Sequence, residues 1–229
     1  MNIPDKNKSN FTPFGVNSNR KNVFKIKICG MKYPDNIKQV AALQPDYLGF
    51  IFYNKSKRNF DGVIPKISER IKKTGVFVDE SLDFILEKVR KYKLQAVQLH
   101  GNESPELCLE LRSIEKIEII KVFSIGEKFE FKFLKPYEMV CDYFLFDTKG
   151  KEKGGNGLAF NWELLKNYSS NKPYFLSGGI GLKELDDIQE FFKTEASKYC
   201  FALDLNSKFE VEPALKNIEK LKSFIKNLK

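Results

Sequence analysis

Short apolar segments alternate with helix-length segments along this chain, and that alternation limits the folds open to it more than any other feature. The apolar segments have the length and the β-branched and aromatic content of strands. They occupy residues 24–29, 47–52, 75–78, 96–99, 117–123, 144–147, 173–176 and 199–203. Repeated strand–helix units indicate a parallel sheet. Eight units in 229 residues therefore predict an α/β fold, a single closed (β/α)8 barrel of the TIM type.

The alternative to a barrel is an open, doubly wound sheet with helices on both faces. Such sheets usually carry a GxGxxG phosphate-binding loop after the first strand. That motif is missing after residue 29, so we predict the closed barrel.

Several predicted helices carry recognisable start signals. Pro34 fits a first helical turn, Ser81 fits an N-cap, and Ser104-Pro105 fit an N-cap followed by the first helical residue. Further helices are predicted at residues 63–71, near residues 160–162, at residues 182–192, and from Pro213 to the C-terminus. Residues 127–140 fit either a helix or a strand, because Phe and Lys alternate there.

The first 22 residues differ in composition from the rest of the chain. They are rich in Asn, Lys and Ser and show no hydrophobic period. We therefore predict a flexible N-terminal extension at residues 1–22 and one barrel domain at residues 23–229.

The charge and cysteine content exclude several classes of function. The net charge of +9 comes almost entirely from lysines interleaved with acidic residues. Without a basic stripe we expect no nucleic-acid partner, and anionic metabolites are the more plausible ligands. The four cysteines are far apart and His100 is the single histidine, so no zinc site is predicted. No signal peptide or membrane span is visible, and we expect a cytoplasmic protein with free thiols and no membrane partner.

In a barrel of this kind the active site lies at the carboxyl ends of the strands. Asp147 ends the sixth strand, before a loop with four glycines, which is a suitable place for a proton donor or acceptor; the alternative is an acid that only caps a turn. Cys29 ends the first strand. A thiolate there is a base only if its pKa falls from about 8.5, and the alternative is packing. We expect Lys27 to point away from Cys29, which leaves no visible source of positive charge.

Other strand-end residues fit the binding of an anionic ligand. Ser177-Gly178-Gly179-Ile180 precede a helix and can present backbone N–H groups to a phosphate, and Asn206 and Ser207 add donors from the next loop; an ordinary tight turn is the alternative. Arg58 lies in a basic loop, where it either binds a carboxylate with two hydrogen bonds or is solvated. Three further candidates follow the third, fourth and eighth strands: Asp79, His100 and Asp204.

Six motifs, in order and at matching spacing, carry a resemblance to one known family. They are Lys27-Ile28-Cys29-Gly30-Met31, Gly49-Phe50-Ile51-Phe52 with Ser56-Lys57-Arg58, Gly75-Val76-Phe77-Val78-Asp79, Gln98-Leu99-His100-Gly101, Phe146-Asp147-Thr148 with Gly154-Gly155-Asn156-Gly157, and Leu176-Ser177-Gly178-Gly179-Ile180. From about Phe24 to the C-terminus the chain resembles the N-(5′-phosphoribosyl)anthranilate isomerases of tryptophan biosynthesis.

The resemblance implies an Amadori rearrangement of a phosphorylated small-molecule substrate, with no metal or organic cofactor. Cys29 matches the general base that takes the proton from ribose C2, and Asp147 matches the general acid that protonates the ring oxygen. Arg58 matches the residue that holds the anthranilate carboxylate. The phosphate is expected on the loops of Gly178, Gly179, Asn206 and Ser207. From their strand-end positions alone, His100 and Asp204 are added to the substrate-binding residues, although His100 has the alternative of merely closing its strand. Monomer and homodimer are both open.

One loop departs from the family pattern. After its Asp the family reads Ser-Ser-Gly-Val-Glu, whereas this chain reads Asn206-Ser207-Lys208-Phe209-Glu210. The lost glycine is a permissive backbone position, so we expect a phosphate geometry that differs from the family's, and Lys208 is a candidate for added charge there.

Related activities fit less well. An indole-3-glycerol phosphate synthase needs paired catalytic lysines, which have no matching strand-end positions here, and a ribulose-phosphate epimerase needs metal-binding histidines. A noncatalytic barrel that binds a sugar phosphate is the alternative from a different functional class. Such a barrel requires neither Cys29 nor Asp147, so the presence of both residues argues against it.

Overall fold

The computed structural model describes residues 24–126, 129–148 and 162–228. Eight parallel strands close into a barrel in chain order, which confirms the predicted (β/α)8 fold. They are β1 Lys25–Ile28, β2 Tyr47–Ile51, β3 Lys72–Phe77, β4 Ala96–Leu99, β5 Glu118–Ile125, β6 Tyr143–Thr148, β7 Tyr174–Leu176 and β8 Cys200–Leu205. The pairing of β1 with β8 closes the barrel and sets Lys27 opposite Asp204. The predicted N-terminal extension and the glycines of the sixth loop lie outside the described residues.

The helices in the described residues lie between the strands or after β8. They are α1 Pro34–Ala41, α2 Leu82–Tyr92, α3 Pro105–Ile114, α4 Leu185–Phe191 and α5 Ile218–Leu228. Short 3₁₀ helices cover Phe131–Tyr137, Trp162–Asn167, Leu182–Glu184, Glu195–Tyr199 and Ser207–Phe209. A small antiparallel hairpin, β9 Glu210–Glu212 and β10 Leu215–Lys216, follows β8. No helix of the described residues is long and apolar enough to cross a membrane.

Two predicted helix starts are confirmed by their capping bonds. The Ser81 hydroxyl accepts a hydrogen bond from the Phe84 N–H at 3.3 Å, and the Ser104 hydroxyl accepts one from the Leu107 N–H at 3.4 Å. Each bond satisfies one backbone donor of a first turn that has no partner within the helix.

The predicted helix at residues 63–71 is wrong. The chain between β2 and β3 forms no helix, and β3 begins three residues before the predicted third strand. Pro65 lies inside the segment. It has no backbone N–H to donate, and its ring disfavours the helical conformation of Ile64. Ile71 is buried, but Val63 is 76% exposed, so the segment does not pack one apolar face against the core.

Two further expectations need correction. Residues 127–140 contain neither an α-helix nor a strand in their described part, but the 3₁₀ helix Phe131–Tyr137. The last helix begins at Ile218 rather than near Pro213, because the hairpin β9–β10 occupies that stretch. Ala214 has a φ of +75°, which a helix cannot accommodate.

The barrel interior is filled by a cluster of buried side chains separate from the layer between strands and helices. Tyr47 on β2 and Phe175 on β7 are far apart in the strand order, yet their ring centroids are 5.3 Å apart. Such a contact is only possible across the interior. Ala202 on β8 belongs to the same cluster, and Asp204, two residues later, faces the same way at the carboxyl end of the strand.

Candidate active site

Cys29 lies directly after β1, where its backbone N–H donates to the Leu205 carbonyl at 2.9 Å. The residue is 4% exposed. Its thiol occupies space left by a glycine of β2, since a Cβ atom at Gly49 would lie only 2.7 Å from Sγ. The interior of the barrel mouth is thus shaped around this sulfur.

The expectation that Lys27 points away from Cys29 is wrong. Strand residues two apart share a face, and Lys27 is fully buried with its Nζ 2.8 Å from Oδ1 of Asp204. Although burial lowers the pKa of Lys27, the carboxylate of Asp204 and the thiol of Cys29 raise it, and the result is a raised pKa. A permanent positive charge therefore lies beside the thiol.

Burial dominates the titration of Cys29. It raises the pKa of the thiol, Lys27 opposes that effect, Asp204 adds to it, and Lys216 opposes it. The two lysines moderate the cost of forming a thiolate but do not cancel it, so the pKa of Cys29 remains above its usual value. The fall in pKa that we expected for a base at this position is therefore not found, and Cys29 can act as a base only through the fraction of thiol that is ionised.

Asp204 is held by the interior lysine. Burial raises the pKa of this carboxyl and the ion pair with Lys27 lowers it, while Asp147 raises it and His100 lowers it. These mutual effects place the predicted acid, His100 and Asp204 close together at the mouth of the barrel.

Asp147 is the fifth residue of β6 and is 7% exposed. The strand continues one residue beyond the predicted end, to Thr148. Nε2 of His100 lies 3.5 Å from Oδ2 of Asp147, and Nδ1 of His100 lies 3.4 Å from Nε2 of Gln98. Within the described residues, Nε2 of His100 makes no hydrogen bond of normal geometry.

Arg58 is not the solvated loop residue of the alternative interpretation. Its Nε lies 2.9 and 3.1 Å from the two carboxylate oxygens of Glu210, and its Nη2 lies 2.7 Å from Oε2. Burial raises the pKa of Glu210, but Arg58 and Lys216 lower it further than burial raises it. Glu210 therefore holds the guanidinium as a charged partner at the rim of the barrel.

The loops after β7 and β8 meet as predicted for neighbouring strands. Gly178 and Gly179 have φ values of +88° and +72°, a backbone region that only glycine enters readily. A Cβ atom at Gly181 would lie 3.1 Å from Cβ of Lys208, so the two loops are in contact. Asn206 uses its side-chain oxygen to accept a hydrogen bond from Lys216 at 2.7 Å, and Ser207 opens the 3₁₀ helix that follows.

Asp79 organises the third and fourth loops. Its carboxylate accepts a hydrogen bond from the Asn102 N–H at 2.5 Å, and its own N–H donates to Glu103 at 2.9 Å. Glu103 in turn accepts from the buried Lys121 at 2.9 Å. These contacts fix the backbone on either side of His100. In the described part of the chain no group of three His, Cys, Asp or Glu side chains is arranged to hold a metal ion.

Three site residues were missed by sequence reasoning: Lys27, Glu210 and Lys216. Lys27 could have been found, because it lies two residues before Cys29 in an apolar strand. Glu210 was noted only as the last residue of the family pattern in the eighth loop, and Lys216 carried no signal, since the stretch from Pro213 was assigned to a helix.

Comparison with known proteins identifies the family. The family model for N-(5′phosphoribosyl)anthranilate (PRA) isomerase matches residues 26–227. The N-(5′-phosphoribosyl)anthranilate isomerase of Parabacteroides distasonis is 43% identical over 209 residues, which cover 89% of this chain and 92% of that protein.

Solved structures agree with this match. The phosphoribosyl anthranilate isomerase of Thermotoga maritima has a TM-score of 0.76 and 30% identity, covering 90% of this chain and 98% of that chain. A structure of such an isomerase in complex with reduced 1-(o-carboxyphenylamino)-1-deoxyribulose 5-phosphate has a TM-score of 0.73 and 27% identity, with the same coverage. The chain belongs to the N-(5′-phosphoribosyl)anthranilate isomerase family.

Proposed function

We propose that this protein catalyses the Amadori rearrangement of N-(5′-phosphoribosyl)anthranilate to 1-(2-carboxyphenylamino)-1-deoxyribulose 5-phosphate in tryptophan biosynthesis, by general acid–base catalysis. The observation that carries the proposal is the pair of buried groups Cys29 and Asp147, at the carboxyl ends of β1 and β6 of one barrel. Family membership supports the same reaction, and a solved relative binds a reduced form of the product.

The first chemical step is ring opening. Asp147 protonates the ribose ring oxygen as its bond to C1 breaks, and the nitrogen lone pair forms the C1=N bond. His100, 3.5 Å from the acid, is placed to contact the ligand on this side. Asp204, between the acid and Lys27, keeps the interior charges near the reacting carbons balanced.

The second step removes a proton from C2. The thiolate of Cys29 takes that proton, the electrons form the C1=C2 bond, and the protonated nitrogen becomes neutral. The resulting enol tautomerises to the ketose product. A buried base with a raised pKa removes protons well once ionised, but only a fraction of the thiol is ionised at neutral pH.

Arg58 is proposed to hold the anthranilate carboxylate. Arg58→Ala is expected to raise KM mainly, because Glu210 fixes the guanidinium before substrate arrives and the loss is one of binding. Steady-state kinetics check this, and Arg90→Ala serves as the matched control because Arg90 pairs with Glu115 on the outer surface. An unchanged KM in the Arg58 variant would remove it from the carboxylate site.

The phosphate is proposed to bind the backbone of Gly178 and Gly179, with Asn206 and Ser207 from the next loop. Gly178→Ala is expected to weaken this binding, because a side chain at a φ of +88° costs about 1–2 kcal/mol and distorts the loop. The inhibition constant of inorganic phosphate should rise together with KM. Gly62→Ala is the control, since its added Cβ would meet Phe60 no closer than 3.8 Å. If inorganic phosphate inhibited the Gly178 and Gly62 variants equally well, the phosphate would not bind at Gly178.

The activity itself is tested by mixing the purified protein with freshly made phosphoribosylanthranilate and following the loss of anthranilate fluorescence. Turnover is the expected result. No turnover, with binding of phosphate-competitive ligands retained, would favour a noncatalytic barrel that binds a sugar phosphate.

The cellular location and the oligomeric state of the enzyme also belong to the proposal. We expect a cytoplasmic enzyme, in keeping with four buried cysteines that form no disulfide. Its oligomeric state, monomer or homodimer, stays a prediction that light scattering would decide.

A further inference from the structure

Lys216 is a buried lysine that the proposed reaction does not yet use. Its side chain is 0% exposed, and its Nζ donates to Glu210 and to the side-chain oxygen of Asn206, both at 2.7 Å, with the Asn206 carbonyl at 3.4 Å. Three acceptors match the three N–H groups of an ammonium. The position is fixed further by Asn36 of α1, which exchanges hydrogen bonds of 2.8 and 2.9 Å with the Lys216 backbone.

The ammonium lies against the backbone that carries the proposed base. A Cβ atom built on Gly30, the residue after Cys29, would lie 3.5 Å from Nζ of Lys216 and 2.8 Å from Cδ of Arg58. Gly30 has a φ of +78° and leaves room for both cations. The hairpin β9–β10 thus places the buried ammonium of Lys216 next to the end of β1, although the two segments are far apart in the chain.

Among the described residues, Glu210 pairs with both cations of this cluster, with Lys216 and with Arg58 at 2.7 Å each, whereas Lys27 is matched directly by Asp204 at 2.8 Å. Burial lowers the pKa of Lys216 to about 8, while Glu210 and Cys29 raise it and Arg58 lowers it. Keeping a buried ammonium at this cost makes sense where a negative charge must form nearby.

We propose that Lys216 is a positioning residue for the proposed base: its buried ammonium, held by Glu210 and Asn206, stabilises the thiolate of Cys29 by charge and so increases the fraction of enzyme that is ready to react. The donors of Lys216 are occupied by oxygens, so it acts without a hydrogen bond to sulfur. This inference rests on the proposed role of Cys29.

Charged groups from several strands of the described part of the chain face Cys29 and Lys216. Cys29 is faced by Lys27 from β1, Asp204 from β8 and Lys216 from β10. Lys216 is faced by Glu210, Arg58 and Cys29. Because the thiolate and the ammonium stabilise each other, their titrations are coupled.

Lys216→Met tests the proposal. The pKa of Cys29 is measured without substrate from the pH dependence of its Cβ chemical shift, assigned by comparison with Cys29→Ala. We expect the pKa to rise by about one unit, which leaves about tenfold less thiolate at neutral pH. The ascending limb of kcat/KM against pH should move by the same amount, and the two enzymes should converge at high pH, where both thiols are ionised.

Two controls accompany this variant. Lys220→Met removes an exposed charge from α5 and should leave the Cys29 titration unchanged, whereas Lys216→Arg keeps the charge and should lie nearer the wild type. If Lys216→Met does not fold by circular dichroism, Lys216→Gln, which can still donate to Glu210, takes its place with the same expectation.

A folded variant with an unchanged Cys29 pKa would overturn the proposal, and so would a loss of kcat/KM that is equal at every pH. Failure of the proposed function looks different. Turnover that survives in Cys29→Ala would reject the base, while the chemical-shift titration would still report whether Lys216 acts on the thiol.

Discussion

Cys29→Ala is expected to lower the turnover of phosphoribosylanthranilate by about 10²–10⁴-fold, the usual contribution of a general base, with the fold intact. The thiol lies directly after β1 among the interior polar groups, with Lys27 and Lys216 both favouring its ionised form. Alanine keeps most of the packing but has no group that can accept the C2 proton. Fluorescence kinetics measure the loss, and circular dichroism checks the fold.

The matched control is Cys108→Ala. Cys108 is also a fully buried cysteine, and burial raises the pKa of its thiol to about 11, but it lies on α3 outside the barrel interior. Its replacement should change stability slightly and leave turnover near the wild-type value. Near-normal turnover in Cys29→Ala would show that the sulfur only packs, as the alternative interpretation of the sequence had it.

Asp147→Asn is the second change for which we expect a loss of about 10²–10⁴-fold. The amide has nearly the size of the carboxyl group and can keep the contact with His100, so the strand end should keep its geometry. It cannot, however, deliver a proton to the ring oxygen, and ring opening then depends on water. Single-turnover kinetics should show a slow chemical step rather than weak binding.

Asp142→Asn is a close control for this substitution. Asp142 precedes β6 at the opposite end of the barrel, where its carboxylate accepts a hydrogen bond from the Ile119 N–H at 2.8 Å. An amide oxygen can accept the same bond, so turnover should be unchanged. If both variants remain active, Asp147 is not the acid, and a donor elsewhere at the mouth must be sought.

Local sequence patterns predicted most of the barrel, because the residues that mark each strand and each helix start are neighbours in the chain. The apolar runs of β4 and β6 and the capping serines of α2 and α3 are read from neighbours in the chain. Asp147 was found in the same way, as an acid at the end of an apolar run. The helix predicted at residues 63–71 is absent because Pro65 lies inside the segment, and Val63, counted as part of its apolar face, is 76% exposed.

The arrangement of charged side chains at the carboxyl end of the barrel could not be predicted from local sequence patterns. Whether Lys27 is buried or solvated depends on Asp204, which lies 177 residues away in the chain and becomes its neighbour only when β1 pairs with β8. Arg58 and Glu210 are 152 residues apart and meet only through the hairpin after β8. Sequence patterns describe what a residue prefers near its chain neighbours, whereas these pairs are set by barrel closure.

Sequence patterns alone predicted the closed barrel and placed a thiol, an acid, an arginine and the Gly178-Gly179 loop at strand ends, because strand–helix periodicity and the position of polar residues after strands are local properties. The burial of Lys216 against Gly30 and the pairing of Glu210 with Arg58, in contrast, are visible only in the folded barrel. Two hydrogen bonds with Asn36, which is 180 residues away in the chain, fix the Lys216 backbone in that position: the Asn36 amide donates to the Lys216 carbonyl and accepts from the Lys216 N–H. The charged partners of a buried residue come from segments that are distant in the chain and become its neighbours only on folding. A local sequence pattern therefore cannot identify them.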